Sequence, residues 1–180
     1  MSNLAAISGP ALLARMARNN AWANARLHGA VAELGDDGFR APRPGFFPSL
    51  QQTLFHILLV DLYYVGSLEG QSRRAIFEEW PRDIPLSEVT ERQQEVDQRL
   101  IAFVEGLGAD DLAREMPTDR GPAGQVMERA DDLLIHLFQH QIHHRGQAHT
   151  MLSEAGAAPP QLDEFHLRYD RHPTAAAFDA

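Results

Sequence analysis

Residues 131–155 read DDLLIHLFQHQIHHRGQAHTMLSEA, and the folding of the chain turns on this stretch. Leu133, Leu137, His140, His144, Gln147 or Ala148, and Met151 recur at the three-to-four spacing of one helix face. Gly156 follows as a helix stop, and Pro159 and Pro160 forbid continuation. The pattern predicts a helix from about Asp131 to Ala155, roughly 36 Å long at about 1.5 Å per residue. A rod of that length with one apolar stripe has to bury the stripe against other helices.

Working outward, three more segments have the same character. Pro10 to Leu34 places Leu13, Met16, Asn20, Ala23, Leu27, Val31 and Leu34 on one face, with Pro10 suited to a first turn and Gly35 as the stop. Pro48 to Leu68 is apolar over most of its circumference and is predicted to be central, ending at Gly70. Ser87 is predicted to cap a helix whose stripe is Val89, Val96, Leu100, Phe103, Val104 and Leu107, with Gly108 as its stop. Between these, 36–47 reads as a loop and 70–85 as a crossover, while 110–125 admits either a short helical turn or a small hairpin. The tail from Gln161 is predicted to be an extended strap with a frayed end. No stretch alternates as a strand would, and no repeat is evident. The expectation is an all-α four-helix bundle in a single domain, residues 1–180.

The 180 residues, 44% apolar, suit one globular domain. Their net charge is −9, and all sixteen basic residues are arginine, which argues against a nucleic-acid partner whose affinity would rest on clustered positive charge. No run approaches the roughly 18 apolar residues of a membrane span. Met1–Pro10 lacks the basic start and apolar centre of a secretion signal, so the chain reads as cytoplasmic with no membrane partner. The absence of cysteine excludes disulfides, thiolate nucleophiles and sulfur-ligated metals together. Any metal must sit on nitrogen and oxygen.

Of nine histidines, five (His136, His140, His143, His144 and His149) fall within fourteen positions. His140 and His144 interrupt the buried stripe. Four apart on a helix, they stand one turn above the other, with Cβ atoms about 5–6 Å apart, and can share one divalent ion. Two buried neutral imidazoles otherwise need a partner each, and a cation satisfies both at once. His136 and His143 lie off the stripe and are assigned to supporting or surface roles. The third ligand must come from another helix, and His56, inside the apolar run Thr53–Leu59, is the candidate. Three neutral nitrogens leave a coordination position open, as catalytic rather than structural sites do. Zinc or nickel suits such a set, one ion per chain. Asp61 does not share the ligand face and reads as a partner for an arginine. Arg145 is available to Asp61 or to an anionic substrate. Gly146, inside a helix at a cost of about 1 kcal/mol, is expected to mark a closely approaching helix or room beside the metal.

These residues resemble the DinB-like superfamily of damage-inducible proteins: Asn20-Ala21-Trp22-Ala23-Asn24 with Leu27, Phe46-Phe47-Pro48-Ser49, Thr53-Leu54-x-His56-Ile57 with Asp61, and, most specifically, His140-x-x-x-His144-Arg145-Gly146-Gln147. The resemblance runs in matching order to Gly156-x-x-Pro159-Pro160-x-x-Asp163. It departs at Phe55, where asparagine often precedes the histidine, and at Tyr63-Tyr64, where tryptophan is usual. It implies an up-up-down-down bundle, commonly a homodimer, with His56, His140 and His144 as metal ligands. Arg145, Gln147, Asp61 and Asn20 are then candidates for supporting or pocket positions. Some members of the wider superfamily are thiol-dependent, among them mycothiol-dependent maleylpyruvate isomerase and transferases of low-molecular-weight thiols.

Three functional readings follow. The first is a metal-dependent enzyme, of thiol-transferase or hydrolase type, that activates a thiol cosubstrate or water for attack on a small electrophilic substrate. The second is a non-catalytic, stress-induced metal-binding protein, which would retain metal tightly but offer no pocket wide enough for a substrate. In the third, the histidines are merely structural.

Overall fold

The computed structural model describes residues 7–81 and 83–179. Residues 1–6, part of the stretch read against a secretion signal, and the last residue of the tail lie outside the described residues. Four long helices carry the fold: α1 (Gly9–Ala32), then, beyond a short α2 (Gly35–Arg40), α3 (Leu50–Leu68), and, beyond a single turn α4 (Ile76–Glu79), α5 (Leu86–Glu105) and α6 (Ala130–Glu154). Ser8 and Ser49 cap α1 and α3 by accepting from the Ala11 and Gln52 amides. α3 is buried along nearly its whole length because it packs on both α5 and α6, while α1 packs on the same two helices from the other side. Leu27, Leu54, Leu58, Leu100 and Leu137 meet in the common core.

Side-chain pairings fix the directions. Arg18 meets Glu105 and His28 meets Thr90, so α1 and α5 are antiparallel. Asp61 meets Gln93 and Glu69 meets Arg99, so α3 and α5 are parallel. Thr53 meets Met151 and Tyr64 meets His136, so α3 and α6 are antiparallel. The course is therefore up-down-down-up, which corrects the up-up-down-down expectation. The cause lies in residues 33–49: α2 folds back at one end, Phe39 is buried completely, and α3 begins where α1 stops. Only the 69–85 connection has to run the length of the helices.

The 110–129 stretch contains both alternatives that its sequence leaves open. 3₁₀ turns at Asp110–Ala113 and Gly121–Ala123 flank or join a hairpin, β1 (Glu115–Asp119) paired with β2 (Gln125–Arg129). The chain is mostly helical rather than all-α. Helix ends differ slightly: α5 starts after Pro85, leaving Ser87 inside its first turn, and closes at Gly106, not Gly108. The tail is not a frayed strap. Pro173–Phe178 forms 3₁₀ turns on α1, where Trp22 donates to Thr174 Oγ1 at 3.0 Å and packs on Phe165. A tryptophan on the outer face of α1 needed a cover, and the tail supplies it. Among the described residues no helix is long and apolar enough to cross a membrane.

Candidate metal centre

α3 and α6 face each other antiparallel, and this brings His56 of one against His140 and His144 of the other. One ring nitrogen from each of the three lies within 4.8 Å of the others, the only such group of three metal-ligating side chains among the described residues. His56 Nε2 and His140 Nε2 are 2.9 Å apart, and ring centres are separated by 4.4 to 4.9 Å. Two ligand nitrogens on a tetrahedral ion at about 2.0–2.1 Å stand roughly 3.3 Å apart, so small side-chain adjustments bring this group to ligating distance.

Burial above all, with repulsion from neighbouring imidazoles, favours the neutral form of all three rings. Burial, then the neighbouring His144, lowers His56 to about 4. His140 falls to about 3, chiefly by burial and then by His144 and His56, and burial also lowers His144. At neutral pH each therefore presents a lone pair, the form that metal ligation requires. His140 Nδ1 is buried with no hydrogen-bond partner, and the facing Nε2 pair can satisfy itself only by sharing one proton. A cation between the three would meet the lone pairs at once, and the donor set fits zinc or nickel better than oxygen-preferring magnesium or calcium.

His144 is the ring whose orientation is secured. Its Nδ1–H donates to Gln147 Oε1 at 2.8 Å, and Gln147 Nε2 donates to His143 Nε2 at 3.0 Å. This leaves His144 Nε2 for the centre. Phe47, delivered by the Phe46-Phe47-Pro48 turn just before the Ser49 cap, lays its ring 4.6 Å from His56 and 5.7 Å from His144. The histidines form the floor of a pocket of about 470 Å³ whose walls include Val60, Tyr63, Tyr64 and Phe77 and whose far side carries Arg74 and Arg120. That volume suits a small molecule.

The other sequence candidates divide. His136 packs at a tilt against Tyr64 and lines the pocket, as does His143, in keeping with supporting roles. His149 is turned away to the Pro160 carbonyl at 3.1 Å. Asn20, Asp61 and Arg145 do not line the pocket. They belong to a buried network on another face of α6, where Arg145 Nη1 donates to Asn20, Asn24 and Gln141 side-chain oxygens. Asp97 accepts from Asn20 and Asn24 at 3.1 Å, and Asp61 accepts from Gln93 at 2.7 Å and from Gln141. Asp61 thus has amide partners rather than the direct arginine expected of it. Burial raises Asp61 well above the carboxylate range, lifts Asp97 to about 6 and lowers Arg145 to about 10. A methyl group on Gly146 would meet nothing within 4 Å, so neither a neighbouring helix nor the histidine cluster explains this glycine.

Sequence reading missed Asp97, Gln93 and Gln141 in the network and Arg74 and Arg120 in the pocket. The first three occupy apolar positions of helix stripes, a signal that was present; the two arginines lie in irregular connections without one. The departures from the family pattern also find their places. Phe55 packs toward Trp80, and Tyr63 and Tyr64 wall the pocket.

Comparison with known proteins bears on the family and the fold. The sequence matches the DinB family model over residues 1–172. It is 25% identical over 150 residues to Protein DinB of Bacillus subtilis (strain 168), covering 80% of this chain and 86% of that protein. Two solved structures are similar in fold: a DinB-like protein from Bacillus cereus (TM-score 0.58, 15% identity, 78% of this chain and 90% of that one) and one from Bacillus subtilis (TM-score 0.58, 17% identity, 82% and 96%).

Proposed function

The chain belongs to the DinB family, and we propose that it is a metal-dependent enzyme in which His56, His140 and His144 hold one divalent ion, zinc or nickel, at the floor of a substrate pocket. In this reading residues 1–180 are one four-helix-bundle domain, working in the cytoplasm as a homodimer. The observation that carries the enzyme over a non-catalytic metal-binding protein is the pocket itself: about 470 Å³, lined by all three histidines.

Bound there, the ion would supply Lewis acidity at an open coordination position, lowering the pKa of a thiol or water placed on it. The chain's own residues do the rest. Gln147 holds His144 in the tautomer that leaves Nε2 free. Phe47, Tyr63, Tyr64 and Phe77 thin out water around the floor, which strengthens every charge interaction inside. Because the chain has no cysteine, a thiol nucleophile has to arrive as a small cosubstrate. Addition of the thiol to an activated double bond would give a thioether, the π bond breaking and the adjacent carbon taking the proton; attack of water on an ester or amide would give the acid and release the alcohol or amine.

Metal analysis of gently purified protein should give about one zinc or nickel per chain, and metal-free protein should take up one equivalent. His56→Ala, His140→Ala and His144→Ala should each weaken uptake far more than His136→Ala or His149→Ala. Equal losses across all five would refute the ligand set, and failure of the parent protein to take up either metal would refute the metal centre. Turnover is then sought with the metal-loaded protein, small thiols and electrophilic or ester substrates; metal uptake without turnover of any would favour the non-catalytic reading.

A further inference from the structure

The pocket that ends on three histidines has a second charged end. Arg74 lies in the connection between α3 and α5, and although the residue is exposed, its backbone and side chain are held at three points. Its backbone N–H donates to Asp119 Oδ2 at 2.9 Å, and its guanidinium carbon stands 5.7 Å from the centre of the Phe77 ring. The third point is Gly121. A Cβ there would come within 2.6 Å of Arg74 Cδ and 2.8 Å of Nε, and Gly121 has φ +61°, a conformation that glycine alone adopts at no steric cost. The hairpin therefore leaves a slot filled by this one side chain.

What distinguishes Arg74 is that, among the described residues, no carboxylate pairs directly with its guanidinium, although Asp119 lies near enough to act on it electrostatically. Arg120, on the same wall, is matched by Glu128 at 2.6 and 2.7 Å and donates to the Tyr64 hydroxyl at 3.1 Å. Arg73, which does not line the pocket, is paired with Glu79. The Asp119 carboxylate spends its oxygens on the amides of Arg74 and Gly121, each at 2.9 Å. Among the described residues no carboxylate oxygen lies within 4.0 Å of the Arg74 guanidinium. An arginine with an ordered stem, an aromatic backing and a free fork facing a pocket is built to receive a planar anion.

We propose that Arg74 is the specificity-determining cation of this pocket, and that the substrate is a small molecule with a carboxylate at one end and its reactive centre at the other. Arg74 takes the carboxylate, Tyr63, Tyr64 and Phe77 pack a flat, unsaturated or aromatic middle, and the electrophilic end faces His56, His140 and His144. The assignment of the reactive end rests on the proposed metal centre; the anion subsite does not. In a chain of net charge −9, whose surface repels anions generally, such a substrate needs a dedicated local cation.

The test uses benzoate and its neutral isostere benzamide as probes, titrated calorimetrically into the full chain both zinc-loaded and chelator-treated. Benzoate should bind at least about tenfold more tightly than benzamide in both forms, since a charge-assisted bidentate pair is worth that much or more. Arg74→Gln should remove the preference without changing benzamide binding, zinc affinity or the thermal melt, and Arg73→Gln should change nothing. Unaltered benzoate affinity in Arg74→Gln overturns the proposal, as does a parent protein that fails to bind benzoate at millimolar concentration. So does benzoate binding that vanishes with the chelator but ignores Arg74, because the probe is then ligating the ion. A chain that takes up no zinc but still shows the Arg74-dependent preference sinks the metal centre and leaves the anion subsite standing.

Discussion

Replacing Gln147 by leucine tests the candidate centre at the point where its geometry is most explicit. His144 is oriented by one hydrogen bond, Nδ1–H to Gln147 Oε1 at 2.8 Å, and Gln147 is itself pinned by donation to His143 at 3.0 Å. Leucine keeps the bulk and the helix propensity but removes the acceptor. The His144 ring is then free to rotate and to hold its proton on either nitrogen, and it loses the partner that raises its basicity. Losses of such outer partners cost about 10–100-fold in metal affinity, which is about 1.4–2.7 kcal/mol. Gln147 is half-buried and its only other side-chain partner is exposed, so the metal-free protein should melt within about 0.5 kcal/mol of the parent. Competition for zinc against a chromophoric chelator at fixed pH reads the affinity directly. Gln147→Glu, which keeps an acceptor and adds charge, should retain or tighten binding. A zinc affinity for Gln147→Leu within about twofold of the parent would show that His144 is not held for ligation by this bond and that the orientation argument is wrong.

Three further outcomes are expected. Arg145→Met should destabilise the protein by about 3–5 kcal/mol in denaturant titrations, because it leaves the buried Asn20, Asn24 and Gln141 oxygens without their donor and removes the one cation that acts on Asp61 and Asp97 through them; a cost below about 1 kcal/mol would mean the amides alone carry the network. Gly146→Ala should stabilise by up to about 1 kcal/mol, raising Tm by roughly 2–4 °C, since the added methyl meets open space on an exposed helix position; destabilisation would reveal an approaching partner that the chain itself does not supply. Burial lowers His28 to about 4, below its free value of 6.5. Its unfolded form therefore binds the extra proton first, and its contribution is complete above pH 6.5 and lost as pH falls through about 4. Asp97, raised to about 6, works in the opposite sense, losing its contribution as pH rises through that value. Comparing metal-free parent with His28→Gln, which shares the Asp97 effect, should isolate a parent-specific loss of order 3 kcal/mol between pH 7 and 4. Parallel pH profiles for the two would refute it.

The sequence by itself determined the four long helices, the centrality of α3 and the His140–His144 pair; that His56 meets this pair only the packing of α3 on α6 decides. Each is a local matter: apolar spacing, a glycine or proline stop, and an i, i+4 imidazole pair are properties of one segment and survive whatever packs around it. What it could not determine was direction and pairing across segments. Whether α3 runs with or against α1 depends on how 33–49 folds back, and this is decided by Phe39 finding a buried place, a contact absent from any local pattern. The buried network has the same origin. Asn20, Asp61 and Arg145 stand out individually, yet their partners Asp97, Gln93 and Gln141 become partners only when α1, α3, α5 and α6 converge, because a buried charge takes whichever polar groups the packing brings within reach. Arg74 is the extreme case: nothing marks it among sixteen arginines until the hairpin sets Gly121 against its stem and the tertiary fold leaves its guanidinium facing the pocket with no direct ion pair among the described residues.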